Sequence, residues 1–276
     1  MIPEELPADL QTLFRGAEDA VGRRLSVALP DGRVVMSDEG TGGIAALWLS
    51  DGPATADLFC RIRADHSRSG LYPLLLDGLD KGGEEYRPWG SGELFHARLT
   101  SPENHDPAVV LARWWAGDDE WDEDDAEVTA PFDERWPGLA PAMPLLHDSD
   151  RLAEDFVRRL LAEQPYLRLG LVAATGGATA LTAAGWSGPV NQENDTALFS
   201  AVVGDWERRF GARVVCVGFD TLRLSVAAPP TTRDAALAVA AEHMAFCPDN
   251  IWQGIGTLSA YADALVNAEE WYFWWD

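Results

Sequence analysis

The sequence predicts an α+β fold: a mixed sheet of about four or more strands with helices packed on it, in one lobe or two. Two observations predict it. Short apolar runs, some alternating with polar residues and some apolar throughout, are typical of strands. Longer segments carry apolar residues three or four positions apart, as amphipathic helices do. The chain of 276 residues can bury a core as one large domain or as two ordinary ones.

The first elements of the chain are short. Residues 25–29 alternate as a strand does, residues 30–32 (Pro-Asp-Gly) are a turn signal, and residues 34–36 follow as a partner strand. Residues 46–49 form a further apolar run. These segments predict a small hairpin near the start of the chain.

A helix is predicted over residues 53–66, because Asp51 can cap it and two apolar residues, Leu58 and Ile62, lie one turn apart. Residues 71–76 then form a buried apolar strand. Its Pro73 favours an edge strand or the start of a strand, because proline has no N–H to donate.

The middle of the chain predicts a domain boundary. A helix starting at Asp106-Pro107 is followed at residues 118–127 by eight carboxylates without a base, a run typical of a solvated loop. The run lacks the Asp spacing and central glycine of a calcium loop. We therefore predict an N-terminal α+β region over residues 1–147, with an acidic loop at 118–127, and a C-terminal α+β domain over 148–276.

The last part of the chain has the clearest pattern of elements. Asn194 or Asp195 can cap one helix, Gly211 can end it, and Thr231 with Asp234 can start the next. The uncharged stretch 169–192 is predicted as strand and loop. The predicted helices cover residues 149–163, 195–210 and 231–246, with another from about 257, and the predicted strands cover 167–174, 213–219 and 222–227.

The net charge of −24 excludes several classes of protein. Phosphate backbones require clustered Lys and Arg, so no nucleic-acid partner is expected. The N-terminus lacks the basic and apolar regions of a secretory signal, and no apolar run is steady enough to cross a membrane. The acidity is uneven: residues 1–138 contain 12 basic and 28 acidic residues, and residues 139–276 contain 9 and 17.

Residue usage also predicts a compartment. The three cysteines are an odd number without CxxC spacing, which favours reduced thiols and a cytoplasmic protein. Lys81 is the only lysine beside twenty arginines, as is typical of a GC-rich bacterial genome.

Twelve tryptophans leave two interpretations open. The rings either fill a core, where large aromatic side chains dominate the buried area, or form an exposed site for a ligand. Composition favours the core.

One helix carries a group of reactive side chains. His243 and Cys247 lie one turn apart, with Asp249 close in sequence and Cys216 on a neighbouring element. Such a group can hold a metal or activate a thiol, but the second chelating pair of a zinc site is missing and His243 also continues an apolar stripe. We predict no metal and no cofactor.

Several segments of the last third occur together in a known family. Residues 206–213 (WERRFGAR) lead into 214–220 (VVCVGFD), then come Pro229-Pro230, residues 240–249 (AAEHMAFCPD), Gln253-Gly254 and the ending 271–276 (WYFWWD). In this order they resemble the bacterial domain-of-unknown-function 4253 family (DUF4253). The likeness is specific over about 165–276 and looser from about 70, where residues 72–76 and Gly185-Trp186 match. It implies no activity, because the family has none assigned.

The resemblance directs attention to one place. The F-C-P-D turn at 246–249, Gln253-Gly254 and the terminal W-W-D are expected to converge, either as a binding site or as a structural keystone, with the keystone slightly favoured. Asp220 lies in a tight turn, where it is more typical of turn formation than of catalysis. The candidate pocket comprises Trp186, Asp220, Glu242, His243, Cys247, Asp249, Trp252 and Gln253.

Two functions follow as hypotheses. The first is a cytosolic interaction protein, immunity-like or accessory, whose acidic surface holds a basic protein partner. The second is an enzyme or small-ligand binder with a pocket near the F-C-P-D turn and the W-W-D ending. The sequence favours a non-enzyme and leaves the oligomeric state open.

Overall fold

The computed structural model describes residues 4–38, 43–80, 85–117 and 123–276. Within them the chain forms a seven-stranded mixed sheet, a separate pair of short strands, and helices on both faces of the large sheet. This arrangement confirms the predicted α+β fold. Among the described residues, every helix is too short or too polar to span a lipid bilayer.

The large sheet has the strand order β3-β4-β6-β5-β7-β8-β9, and only the β5–β7 pair is parallel. All four predicted sheet strands lie in it. The strands of the small sheet are β1 (Glu4–Glu5) and β2 (Arg24–Leu25); those of the large sheet are β3 (Gly32–Met36), β4 (Ala45–Pro53), β5 (Leu71–Leu76), β6 (Arg168–Ala173), β7 (Ala212–Val217), β8 (Thr221–Val226) and β9 (Glu270–Trp274).

The helices are capped largely by local side chains. Asp148 accepts from two backbone amides at the start of α6, Asp195 from one at the start of α8, and Gly211 ends α8 with φ 61°. The helices are α1 (Ala8–Gln11), α2 (Ala17–Ala20), α3 (Ala56–Ser69), α4 (Pro107–Ala116), α5 (Glu123–Thr129), α6 (Ser149–Glu163), α7 (Gly177–Ala183), α8 (Thr196–Phe210), α9 (Arg233–Phe246) and α10 (Leu258–Leu265); Asn250–Ile255 is a π-helical turn and Pro102–Asn104 a 3₁₀ turn.

Strand β5 is central, so the prediction of an edge strand from Pro73 is wrong. All six residues of β5 are buried. The missing N–H of Pro73 is tolerated because β5 pairs with β7 only through Leu75 and Leu76, beyond the proline.

The predicted N-terminal hairpin is also wrong. Strand β2 pairs with β1, and β3 pairs with β4 instead. Strand β4 offers β3 a longer partner whose apolar residues are buried, which a two-residue strand cannot match. Gly32 is required there, because a Cβ would lie 2.2 Å from the ring of Trp48.

Three local predictions need correction. Strand β4 extends to Pro53, so Thr55 rather than Asp51 caps α3. Thr232, not Thr231, caps α9 by accepting from Ala235 N. Helix α7 occupies part of the stretch predicted as strand and loop, because an Ala/Thr run without a strong periodic pattern hides it.

The acidic loop is only partly described. Residues 118–122 lie outside the described residues, and the rest of the run begins α5 (Glu123–Thr129) rather than continuing as a loop. The boundary predicted near residue 147 does not divide the sheet: β5, from the first part of the chain, lies between β6 and β7, from the second.

Apolar residues pack on both faces of the sheet. Leu74, Leu76 and Val214 face a cluster with α4, α8 and α9, whereas Leu75 and Val215 face a cluster with α3 and α6. Most described tryptophans fill these clusters, as favoured from composition. The seven buried ones are Trp48, Trp89, Trp115, Trp186, Trp206, Trp271 and Trp275.

Candidate functional site

The F-C-P-D turn and the chain ending converge at one corner of the sheet, beside the edge strand β9. The Cys247 thiol donates to Trp274 O at 2.9 Å, and Asn250 Nδ2 donates to Tyr272 O at 2.7 Å. The Asp276 amide donates to Asp249 Oδ2 at 3.1 Å. The carbonyl groups of Tyr272 and Trp274 on the outer edge of β9 therefore already accept hydrogen bonds. They are not free to pair with a strand of another molecule.

Glu242 is fully buried and has four donors. Its Oε1 accepts from Ala140 N at 2.6 Å and Arg209 Nη1 at 2.9 Å. Its Oε2 accepts from Trp206 Nε1 at 2.7 Å and Arg209 Nη2 at 2.6 Å. The carboxylate joins α8, α9 and the segment before α6, which is a structural role with no oxygen left for a substrate.

His243 is fully buried among aromatic rings. Its Nδ1 lies 3.1 Å from Tyr261 Oη, and that hydroxyl also accepts from Asn250 Nδ2 at 3.0 Å. Among the described residues, Nε2 of His243 has no hydrogen-bond partner. Burial lowers the pKa of His243 well below its usual 6.5, and the charge of Arg209 lowers it further.

The remaining enclosed candidates also serve packing. Burial raises the pKa of the Cys247 thiol to about 12, so the reactive thiolate is suppressed. Trp186 is buried; its Nε1 donates to Gly218 O at 2.9 Å, and its ring lies edge-on to Trp275, with 5.7 Å between centroids. Within the described residues, no group of three or more His, Cys, Asp or Glu side chains is arranged to hold a metal.

The other candidates lie on the surface of the same corner. Asp249 accepts from Gln253 Nε2 at 2.9 Å, and Trp252 is 43% exposed. Asp220 is half-buried, and its carbonyl accepts from Trp275 N. Burial raises the pKa of Asp220, and the nearby carboxylate of Asp276 raises it further. The eight predicted residues therefore form two groups. Four are buried in the core, and four lie at the surface: Asp220, Asp249, Trp252 and Gln253.

Exposed aromatic and aliphatic side chains accompany this second group. Ile255 is 44% and Tyr272 41% exposed, and both line a groove of about 290 Å³. We call Trp252, Ile255 and Tyr272 the aromatic patch. Strand β9, which supplies Tyr272, was not predicted, because a run of consecutive aromatic residues shows neither strand nor helix periodicity.

A larger cavity lies at the opposite end of the sheet, where β6 ends and β5 and β7 begin. We call it the polar cleft; its volume is about 700 Å³. Arg63, Asp150, Glu207 and Arg213 line it together with Tyr72. None of these residues was predicted as a site residue. Glu207 and Arg213 lie in the segment 206–213 that carries the family resemblance, but no motif links them to Arg63 and Asp150, which are up to 150 positions away. The one local signal was the glycine pair at 176–177, which also lines the cleft.

Two histidines also border the cleft. His66 Nε2 lies 2.8 Å from Ala174 O, and His105 Nε2 lies 2.5 Å from Thr100 Oγ1. Both residues line the cavity. The partner of His66 comes from a distant segment, which sequence spacing cannot show, whereas the partner of His105 is local.

By its fold and its two sites, the chain is an α+β protein with an acidic aromatic corner at one end of the sheet and a polar cleft at the other. Residues 168–276 match the model of the family described as Domain of unknown function (DUF4253). The predicted resemblance of the C-terminal segment is confirmed. The matched segment contains the whole corner but only part of the cleft: Glu207 and Arg213 lie inside it, and Arg63, Tyr72 and Asp150 precede it. No curated protein and no solved structure matches the chain.

Proposed function

We propose that the protein is an interaction protein that holds a basic partner protein at the aromatic patch. The observation that carries this proposal is the patch itself: Trp252, Ile255 and Tyr272 are each exposed by more than two fifths at one corner. Large aromatic side chains in a partly sheltered groove are the residues that most often anchor a protein interface.

Charge supports the choice of partner. Four carboxylates lie near the patch: Asp249, Asp276, Asp220 and Glu270. Arg223 lies over the Tyr272 ring and is paired with Glu270 at 3.0 Å, so its charge is already compensated. Complementary charge steers association and rejects acidic partners, so a segment with apolar anchors flanked by Lys or Arg fits this surface.

We place this function in the bacterial cytoplasm. The three cysteines are free thiols, as expected in a reducing compartment. The choice of a bacterial setting rests on arginine usage and on the family resemblance. An immunity-like or accessory role is consistent with a binding surface that carries no catalytic group.

A small-ligand binder or enzyme at this corner is the second candidate, and the groove of about 290 Å³ favours it. Against it, Glu242, His243 and Cys247 are completely enclosed and cannot reach a ligand in the groove. The interface is therefore the better supported of the two functions.

The test uses a defined probe, a fluorescently labelled peptide of alternating Arg and Leu, and a counterpart with Glu in place of Arg. We expect fluorescence anisotropy to show saturable binding of the basic peptide, weakening as salt is raised. Trp252→Ala should weaken binding about tenfold, whereas Leu146→Ala, a change at an exposed leucine distant in sequence, should not.

A pull-down from the native host at low and high salt then identifies the partner. Equal binding of the two peptides, or an unchanged affinity in Trp252→Ala, contradicts the proposal. Failure to retain any basic protein at low salt contradicts its electrostatic part.

A further inference from the structure

The polar cleft is formally balanced in charge, whereas the chain as a whole is strongly acidic. Its lining contains three arginines and two histidines against three acidic residues. The whole chain contains 21 Lys and Arg and 5 His against 45 Asp and Glu. Basic groups are therefore concentrated in this cavity, although the protein as a whole repels anions.

The arginines of the cleft are held in fixed positions. Asp150 Oδ1 accepts from Arg63 Nη2 and from Arg213 Nε, both at 2.7 Å. Arg63 Nη1 also donates to Tyr72 Oη at 2.6 Å, and Tyr72 in turn donates to Val214 O at 3.1 Å. A side chain fixed before a ligand arrives loses less entropy on binding, which favours affinity.

Donor capacity remains on one of these arginines. Arg213 uses Nε for Asp150 and Nη1 for Ala212 O, and no described residue accepts from its Nη2. The Arg213 side chain is 26% exposed, so this nitrogen can be reached. Arg63 is buried, and its Nε has no partner, which marks a charge cluster that internal contacts do not complete.

Glu207 forms the facing wall of the cleft. Its Oε1 accepts from Ala178 N at 3.1 Å, and its Oε2 has no hydrogen-bond partner within the described residues. It takes part in none of their ion pairs, so a gap separates it from the arginines. Burial raises the pKa of Glu207, although Arg213 and Arg63 act against this effect. A protonated Glu207 can donate a hydrogen bond to a ligand oxygen.

We infer that the polar cleft binds a small organic anion, with a carboxylate or phosphate group at Arg213 and the rest of the molecule along the face of α8 that carries Gly204 and Glu207. A cavity of about 700 Å³ is within the range of sites that enclose a ligand of drug or nucleotide size. This site is distinct from the aromatic patch and does not depend on the function proposed there.

The inference is tested on the full chain by isothermal titration calorimetry with four probes: inorganic phosphate, citrate, adenosine monophosphate and uncharged adenosine. At least one anion should bind saturably, and adenosine should bind at least about tenfold more weakly than its monophosphate. Arg213→Gln should lose at least about tenfold in affinity for that anion, since a hydrogen bond to a charged group is removed.

Two further variants control this result. Arg61→Gln changes an exposed arginine on the same helix as Arg63 and should bind as the wild type does. Gly204→Met adds a long side chain to the cleft wall, where a Cβ meets only Ala178 at 3.6 Å, and should abolish binding while the protein stays folded. Circular dichroism of each variant verifies folding.

Three outcomes overturn the inference. The first is the absence of saturable binding by all three anions. The second is equal affinity for adenosine and its monophosphate. The third is an Arg213→Gln or Gly204→Met variant that binds as the wild type does.

Discussion

The core beneath α9 and the polar cleft each hold a carboxylate near arginines of α8 or its neighbours, but the hydrogen bonding of the two carboxylates differs. In the core, Glu242 is fully buried and each of its oxygens accepts two hydrogen bonds. In the cleft, Glu207 accepts one hydrogen bond, and among the described residues it pairs with no arginine and its second oxygen has no donor. A buried charge with all its partners serves stability, whereas one left incomplete is available for binding.

This difference teaches where function is to be sought. The residues with the most reactive chemistry, His243 and Cys247, are enclosed in the core. The residues that remain available, Glu207 and Arg213, lie in the segment that carries the family resemblance but were not predicted as site residues. Access to the cleft, more than residue type, distinguishes the two sets.

The largest expected effect is a difference in the free energy of unfolding between variants of Glu242 and variants of Glu207. Glu242→Ala should lower the free energy of unfolding by about 3 kcal/mol or more, because Arg209 and Trp206 lose their acceptor inside the core. Glu207→Gln should change it by less than about 1 kcal/mol, because one hydrogen bond is weakened while a buried charge is removed. Urea unfolding of both variants measures the difference. Equal losses would abolish the distinction drawn between the two sites.

The next effect uses pH, because the two regions respond with opposite signs. The pKa of His243 is lowered in the folded protein. Below about pH 6.5, the unfolded chain therefore binds a proton on this histidine that the folded protein does not bind. Its contribution to stability therefore falls with decreasing pH, by at most about 1.4 kcal/mol per pH unit. Glu207 has a raised pKa, so its contribution is complete below 4.5 and is lost as pH rises toward the folded value.

Thermal unfolding between pH 4 and 8 checks this pair. His243→Phe should flatten the loss of stability below pH 6.5, and Glu207→Gln should remove a small gain on acidification. If the wild type and His243→Phe have parallel pH profiles, His243 is not the group responsible.

A smaller effect is expected where the corner protects strand β9. Asn250→Ala removes the donors to Tyr272 O and Tyr261 Oη, and should cost about 1–3 kcal/mol. Freeing the outer edge of β9 should also promote association between copies, seen as a concentration-dependent increase in light scattering. Asn191→Ala, which removes only an exposed bond to Asp276 O, is the matched control and should leave scattering unchanged.

The smallest effect concerns the thiols. Burial raises the pKa of all three cysteines, but Cys216 and Cys247 are inaccessible, whereas Cys60 is half-buried on α3. A thiol reagent at pH 7.5 should modify Cys60 alone in the folded protein and all three cysteines in denaturant, counted by mass spectrometry. Rapid labelling of Cys247 in the folded protein would show that the corner is open.

The sequence predicted elements wherever local chemistry determines them. Strands β6, β7 and β8 follow from their apolar runs, and α6 and α8 from their stripes and from caps such as Asp195. The prediction of a hairpin at the start of the chain was wrong, because the pairing partner of β3 depends on the burial of β4, which is a tertiary effect. Convergence at the corner was anticipated from the family resemblance. The cleft was not, because Arg63 and Arg213 meet only through the sheet.

Strand β5 gives the family match an unexpected limit. The matched segment begins with β6, yet β5, which pairs with both β6 and β7, is encoded almost one hundred residues earlier. Cutting the chain at residue 168 would leave a slot one strand wide between β6 and β7, lined by unpaired backbone groups. The matched segment is thus a unit of sequence similarity, but it is not a complete structural unit, because its sheet includes β5. An expression fragment meant to stand alone must carry residues 71–76 with it.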